Sequence, residues 1–289
     1  MRVDSDISTT LASAFKSACL AELEALKPGN VHIFADGHGM VVQDFIDSAE
    51  AAAAVIALPD LTVGERILAA VDATWNAVGC NTNLGIILLS APLIQAITIS
   101  TGQALTFQER LQYVLQNLTQ EDAAKAYQAI VRASPAGLGQ SEHYDVHVLP
   151  QVTLLAAMTE AGQRDRIAWQ YTHGFADVFT LGAARYRELL ARWERPAWAA
   201  SAVYLGFLAR FPDTHIIRKY GAAIAQQVQQ EAQVHEQALM ALDNPKTYQR
   251  ELLNFDADLK LRGLNPGTSA DLTVASLLAK SLENILLTL

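Results

Sequence analysis

The stretch Leu84–Ile99, LGIILLSAPLIQAITI, limits the fold more than any other. It is apolar nearly all round, which suits a helix buried on every side. It is shorter than a bilayer span, and Ser90, Pro92, Gln95 and Thr98 interrupt it. It therefore reads as a buried central helix that other elements must cover. Nowhere do apolar and polar residues alternate over strand length between turn signals. The expectation is an all-α fold, a single globular multi-helix domain over residues 1–289 with about ten to a dozen helices.

The covering helices are legible in order. Residues 8–26 put Leu11, Phe15, Ala18, Glu22 and Leu26 on one helical face, so Glu22 is a carboxylate on an apolar stripe. Further helices are expected at Asp44–Leu58, Val63–Val78, 107–118, 120–132, Gln151–Glu160 and Asp165–Arg192, the last broken near Thr172-His173-Gly174. Pro196 suits a first turn, a Gln-rich helix covers 222–242, and a final apolar helix runs through Leu289. Thr106 with Glu109, and Thr268 with Asp271, have capping-box spacing, and Thr119 opens the helix after the first of these.

The formal net charge of −9 argues against a broad nucleic-acid surface. Two cysteines without metal-type pairing, Cys19 and Cys80, fit a reduced cytoplasmic setting. The first residues lack the basic-then-apolar layout of a signal peptide, and no segment reads as a membrane span. Ala-rich helical surface suits a homodimer.

Chemistry concentrates in the breaks between helices. KPGNVHIFADGHGM, Lys27–Met40, carries lysine, asparagine, aspartate and two histidines among three glycines. Asn81-Thr82-Asn83 stands at the start of the buried helix, with more candidates than one cap requires. Gln140–Pro150 adds Glu142, His143, Asp145 and His147, a weak metal pattern. FPDTHIIRKYG, Phe211–Gly221, and GLNPGTSADL, Gly263–Leu272, complete the set. Sequence signatures of P-loop, dinucleotide-fold, zincin and hydrolase-elbow enzymes are missing. What remains is carboxylates (Glu22, Asp36, Asp213, Asp271), cations (Lys27, Arg218, Lys219), imidazoles (His32, His38, His215) and amides (Asn30, Asn81, Asn83, Asn265). Hard oxygens suit Mg²⁺ held together with substrate phosphate, and basic neighbours suit a polyphosphate. The pattern points to an enzyme acting on a phosphorylated small molecule.

KPGNVHIFADGHGM, NTNLG, FPDTHIIRKYG and NPGTSADL, in that order, resemble the triphosphoribosyl-dephospho-CoA synthase family. The resemblance implies an all-α transferase that takes the triphosphoribosyl group of ATP, releases adenine, and uses dephospho-CoA or a related cofactor precursor as acceptor. It implies Glu22, Asp36 and Asp213 as catalytic carboxylates. Glu22, Asp36, Asp213 and Asp271 would hold Mg²⁺. Lys27, Asn30, His32, His38, Asn81, Thr82, Asn83, His215, Arg218, Lys219, Asn265 and Ser269 would bind nucleotide or phosphate. Members serving citrate lyase resemble KPGLVD, a GAHKDM-like run and NTHKG. Here Asn30-Val31-His32, Gly37-His38-Gly39-Met40 and Asn83-Leu84 stand instead. The chain looks more like a branch of methylotrophs and archaea associated with tetrahydromethanopterin-type one-carbon cofactors, whose acceptor would differ. A non-catalytic nucleotide-binding helical protein is the competing class.

Overall fold

The computed structural model describes residues 2–100, 104–135, 139 and 143–289. About 73% of the chain is helical, as expected. Fourteen α-helices are present among the described residues, somewhat more than the periodicity indicates. They are α1 (Arg2–Glu24), α2 (Val42–Ile56), α3 (Val63–Val78), α4 (Leu84–Thr98), α5 (Phe107–Gln116), α6 (Gln120–Ala133) and α7 (Leu154–Ala161). After them come α8 (Arg166–Thr172), α9 (Ala184–Trp193), α10 (Pro196–Arg210), α11 (Thr214–Tyr220), α12 (Ala222–Met240), α13 (Gln249–Leu261) and α14 (Gly267–Leu286). Two β-bridges, His32 with Ala35 and Gly37 with Met40, are isolated, and no strand occurs among the described residues. No described helix is long and apolar enough to cross a membrane.

Contacts divide the chain into two compact units. The first comprises Met1–Ser17, Ile46–Phe175 and Leu278–Leu289. Its core is α4, with thirteen of fifteen residues buried. Pro92 lacks the N–H that would bond the Leu88 carbonyl, and the buried Tyr171 hydroxyl supplies that bond at 2.5 Å. Fully buried Arg66 ties the helices together. It donates to Gln95 Oε1 at 2.7 Å and to the carbonyls of Ile56 and Leu58 at 2.9 and 2.5 Å. α3 meets α6 at Gly64, where a Cβ would stand 2.5 Å from Asp122 Cα and only glycine fits. The expected capping box at Thr106 is formed, and Thr119, expected to open its helix, does so in a further box with Asp122.

The second unit comprises Ala18–Phe45 and Ala176–Leu277. Its core is α10, buried from Ala199 to Ala209 and flanked by α9 and α12. The break expected near Thr172-His173-Gly174 is present: α8 ends at Thr172, and Gly174 and Phe175 both have positive φ. Three departures from the sequence reading follow it. The chain resumes after the break as a π-helix over Val178–Ala183 before α9. The cluster at Phe211–Gly221 is no open loop, because Asp213 caps it into α11. The region after residue 242, given no element from its pattern, forms a 3₁₀ turn at Pro245–Tyr248 and then α13.

Candidate active site

The chain leaves α1 and turns at Gly29, whose φ is +82°. A Cβ there would lie 2.9 Å from both the Leu264 carbonyl oxygen and Pro266 Cδ. Only glycine permits that backbone and that approach, so the KPGN segment is pressed against the LNPG segment.

Two charges are buried at this junction. Glu22 is 4% exposed, Lys27 0%, and they form an ion pair. Lys27 Nζ also donates to Asn30 Oδ1 at 3.1 Å, and Asn30 Nδ2 donates to Asn265 Oδ1 at 2.8 Å. Burial pushes the Glu22 pKa up and the Lys27 pKa down, while their pairing opposes both shifts. The charge of half-buried Asp271 also supports protonated Lys27. From sequence, Glu22 on an apolar stripe has two readings, solvated at its edge or turned inward. The inward reading holds.

FPDTH and NPGTSAD interlock beside it. Asp213 Oδ1 accepts from the N–H groups of His215 and Ile216 at 2.9 and 3.3 Å. Its Oδ2 accepts from the Ser269 N–H and hydroxyl, both at 2.8 Å. Burial raises the Asp213 pKa, and these four donors oppose it. Thr268 does not cap the last helix as its spacing suggests. α14 already starts at Gly267, and the Thr268 hydroxyl instead meets the Thr214 hydroxyl at 2.9 Å and accepts from the His215 N–H at 3.2 Å.

His215 is the exposed question in this cluster. Its Nδ1 lies only 2.7 Å from where a Cβ on Gly267 would be, so that glycine makes room for the ring. Its Nε2 is buried without a hydrogen-bond partner. Burial, then the charges of Arg218, Lys219 and His38, push its pKa down to about 3. The ring is therefore neutral near pH 7, surrounded by basic groups. Leaving such a buried polar atom unsatisfied costs about 1–3 kcal/mol, which a ligand atom can recover.

The remaining candidates sort differently. Asp36 is exposed and its Oδ1 accepts from the Val42 N–H at 2.9 Å. His38 Nε2 meets the Gly29 carbonyl at 2.7 Å, and His32 is fully buried. Asn81, Thr82 and Asn83 belong to the first unit. There, Asn81 Oδ1 accepts from the Leu84 N–H at 3.1 Å, the Thr82 hydroxyl donates to Ser48 at 2.6 Å, and Asn83 Nδ2 donates to Thr74 at 3.0 Å. In the Gln140–Pro150 segment, His147 Nδ1 pairs locally with Asp145 at 2.8 Å, while Glu142 lies outside the described residues. No group of three or more His, Cys, Asp or Glu able to hold a metal occurs among the described residues. Of the four carboxylates expected around Mg²⁺, Glu22 is taken by Lys27 and Asp213 by its four donors.

Two residues of this site have no sequence motif. Tyr204, in the core helix α10, donates to the Pro28 carbonyl at 2.6 Å, and Asp256, on α13, accepts from the Gly29 N–H at 2.9 Å. Asp256 lies on the buried face with Leu252, Phe255 and Leu259. That is the same signal, a carboxylate on an apolar stripe, that singles out Glu22. A separate groove of about 500 Å³ between α12 and α13 is lined by Glu231, Glu251, Asp258, His235 and Phe255. Arg262 pairs with two of the groove's three carboxylates, and the lining offers no lysine or arginine to a phosphate, so it is a poor seat for a nucleotide.

Known proteins agree with the fold. A crystal structure described as a triphosphoribosyl-dephospho-CoA synthase from Archaeoglobus fulgidus superposes with a TM-score of 0.63. It is 22% identical, and the match covers 84% of this chain and 98% of the other. No match was found among curated proteins. The profile of one family, ATP:dephospho-CoA triphosphoribosyl transferase, matches residues 8–287. Over almost its entire length, then, this chain belongs to the ATP:dephospho-CoA triphosphoribosyl transferase family.

Proposed function

We propose that the chain transfers the triphosphoribosyl group of ATP to a hydroxyl of dephospho-CoA, releasing adenine, and that the second unit binds the triphosphate. The observation that carries this is His215: a neutral ring with a buried, unpartnered Nε2 among His38, Arg218 and Lys219. Such a set accepts an anionic chain with donors at several points.

The reaction breaks the bond between the ribose C1′ and adenine and forms one from C1′ to the acceptor oxygen. The bonding pair leaves with adenine, and the proton lost by the hydroxyl balances the one adenine gains. Positive charge develops on the ribose in between, as in glycoside cleavage, and a carboxylate stabilises it. Asp36 on the loop and Asp271, whose charge bears on Lys27, are the candidates, while Glu22 pairs with Lys27 and Asp213 closes the α11–α14 junction. In this reading Glu22 and Asp213 position the site rather than touch the reacting atoms. Mg²⁺ bound with ATP would neutralise phosphate charge, and the same two carboxylates are its candidates. Nucleotide substrates imply a cytoplasmic setting, and light scattering on the same preparation tests the homodimer.

Incubating the full chain with ATP, Mg²⁺ and dephospho-CoA, followed by chromatography, tests the reading. Free adenine in step with acceptor consumption is expected. Release of AMP or phosphate instead, or tight nucleotide binding without products, overturns it. Adenine release only with another hydroxyl acceptor would keep the donor chemistry and replace dephospho-CoA.

A further inference from the structure

Lys27–Met40 has few backbone bonds of its own. It has the turns His32 to Ala35 and Gly37 to Met40, and positive φ at Gly29, His38 and Gly39. The Glu22–Lys27–Asn30–Asn265 set and Tyr204 hold its start, and one side chain of α13 reaches further along it. Asp256 is 3% exposed and directs both oxygens at this loop or at a side chain tied to it. Oδ1 accepts from the Gly29 N–H at 2.9 Å and lies 3.3 Å from His32 Nε2. Oδ2 accepts from Lys260 Nζ at 3.1 Å, and Lys260 in turn donates to the Ala35 carbonyl at 3.1 Å. Gly37 gives the lysine room: a Cβ there would lie 3.1 Å from Lys260 Cε, close enough that the side chain would have to shift.

His32 faces the same carboxylate at 3.3 Å, an electrostatic approach in which its buried Nε2 has no hydrogen-bond partner. Its Nδ1 accepts from the Phe34 N–H at 3.3 Å, which leaves the ring proton on Nε2, facing Asp256. From Gly29 the chain of contacts continues. Its carbonyl meets His38 Nε2 at 2.7 Å, and the His38 charge is felt at His215.

We infer that Asp256 is a positioning residue of this site, holding Gly29, His32 and, through Lys260, Ala35 in the arrangement that presents His38 to the nucleotide. This rests on the transferase reading for its catalytic consequence, though the positioning itself can be read without turnover.

The test uses the full chain with Asp256→Asn. Adenine release should fall tenfold or more in kcat, with a smaller change in the KM for dephospho-CoA. The His32 imidazole, followed by ¹H–¹⁵N NMR without substrate, should change as well. The groups bearing on His32 are Asp256, Lys260 and Lys27. Removing the carboxylate charge leaves burial and the two lysines unopposed, so the ring should titrate at lower pH than in the wild type. Lys260→Met is the milder companion: it removes the Ala35 tie and leaves Gly29 and His32 on Asp256, so a smaller loss of kcat is expected. If Asp256→Asn does not fold, Lys260→Met decides alone, and unchanged kcat overturns the inference. Unchanged His32 and Gly29 resonances in Asp256→Asn overturn it equally. Wild-type protein that makes no adenine defeats the transferase reading, while the NMR comparison still decides the positioning role.

Discussion

The breaks at Lys27–Asn30 and Asn81–Asn83 look alike in sequence: short, polar, and next to a helix end. Their structures differ in reach. Asn81 serves a backbone N–H three positions on, and Asn83 a hydroxyl nine positions back. Gly29 instead meets a carboxylate 227 positions away, and Asn30 an amide 235 positions away. At the first break Asn81 satisfies an N–H that the start of a helix leaves open, while Thr82 and Asn83 donate to Ser48 and Thr74 of the same unit. The second buries a charge pair, which is costly and gives little net stability. Its proposed role is therefore to hold this junction of distant segments in shape rather than to stabilise the fold. The contrast can be broken experimentally at either end.

The largest effect is expected at Lys27. Lys27→Met leaves Glu22 buried without its partner and should cost about 3–5 kcal/mol of stability, measured by chemical denaturation. Adenine release should fall about a hundredfold or more, the scale of a misplaced catalytic geometry. The paired variant Lys27→Met/Glu22→Leu separates the two losses. With no uncompensated charge it should regain most of the stability while activity stays low. Recovery of both together would mean that the pair only stabilises the fold.

Next in size is His215. His215→Asn removes the unpartnered Nε2, and ATP affinity measured by calorimetry should fall about tenfold or more, matching one lost buried hydrogen bond. Unchanged affinity would remove His215 from the nucleotide site. The same residue gives a pH dependence of known sign. Its folded pKa is depressed to about 3, against about 6.5 for a free imidazole. Between those values the unfolded chain binds a proton that the folded chain does not, so His215 contributes stability above pH 6.5 that is lost as pH falls toward 3. The slope should be about 1 kcal/mol per pH unit. The wild type minus His215→Asn difference in stability, taken from pH 7 to pH 4.5, isolates it from other titrating groups. A flat difference would mean that the ring takes up protons in the folded state.

Much of this was readable from residues, and the failures have physical causes. α4 announces itself because a helix buried all round needs no periodicity. Glu22 is visible as a carboxylate on an apolar stripe, and of the four motifs that resemble the family, KPGN, FPDTH and NPGTSAD meet in the second unit while NTNLG lies in the first. α13 was missed because Gln249–Leu261 mixes charged residues among its apolar ones, and its core face is narrow. Asp256 was missed with it, although its stripe carries the same signal as Glu22. Asp213, by residue type a candidate metal or transition-state carboxylate, has both oxygens bonded, one in the α11 cap and one at Ser269. Capping and catalysis draw on the same residue types, and only the long-range partner, Ser269, shows which interface this carboxylate closes.

The smallest effect is expected where the break is a cap. Asn81→Ala removes the acceptor for the Leu84 N–H at the start of a buried helix. Loss of such a cap should cost about 1 kcal/mol, seen as a lower midpoint in urea without a change in slope. Turnover should stay within about threefold of wild type, since a shift of that size in rate is well under one hydrogen bond to a charged ligand. A tenfold loss of ATP affinity with stability unchanged would reverse the assignment. It would make Asn81 a nucleotide contact, and the short-range break as functional as the long-range one.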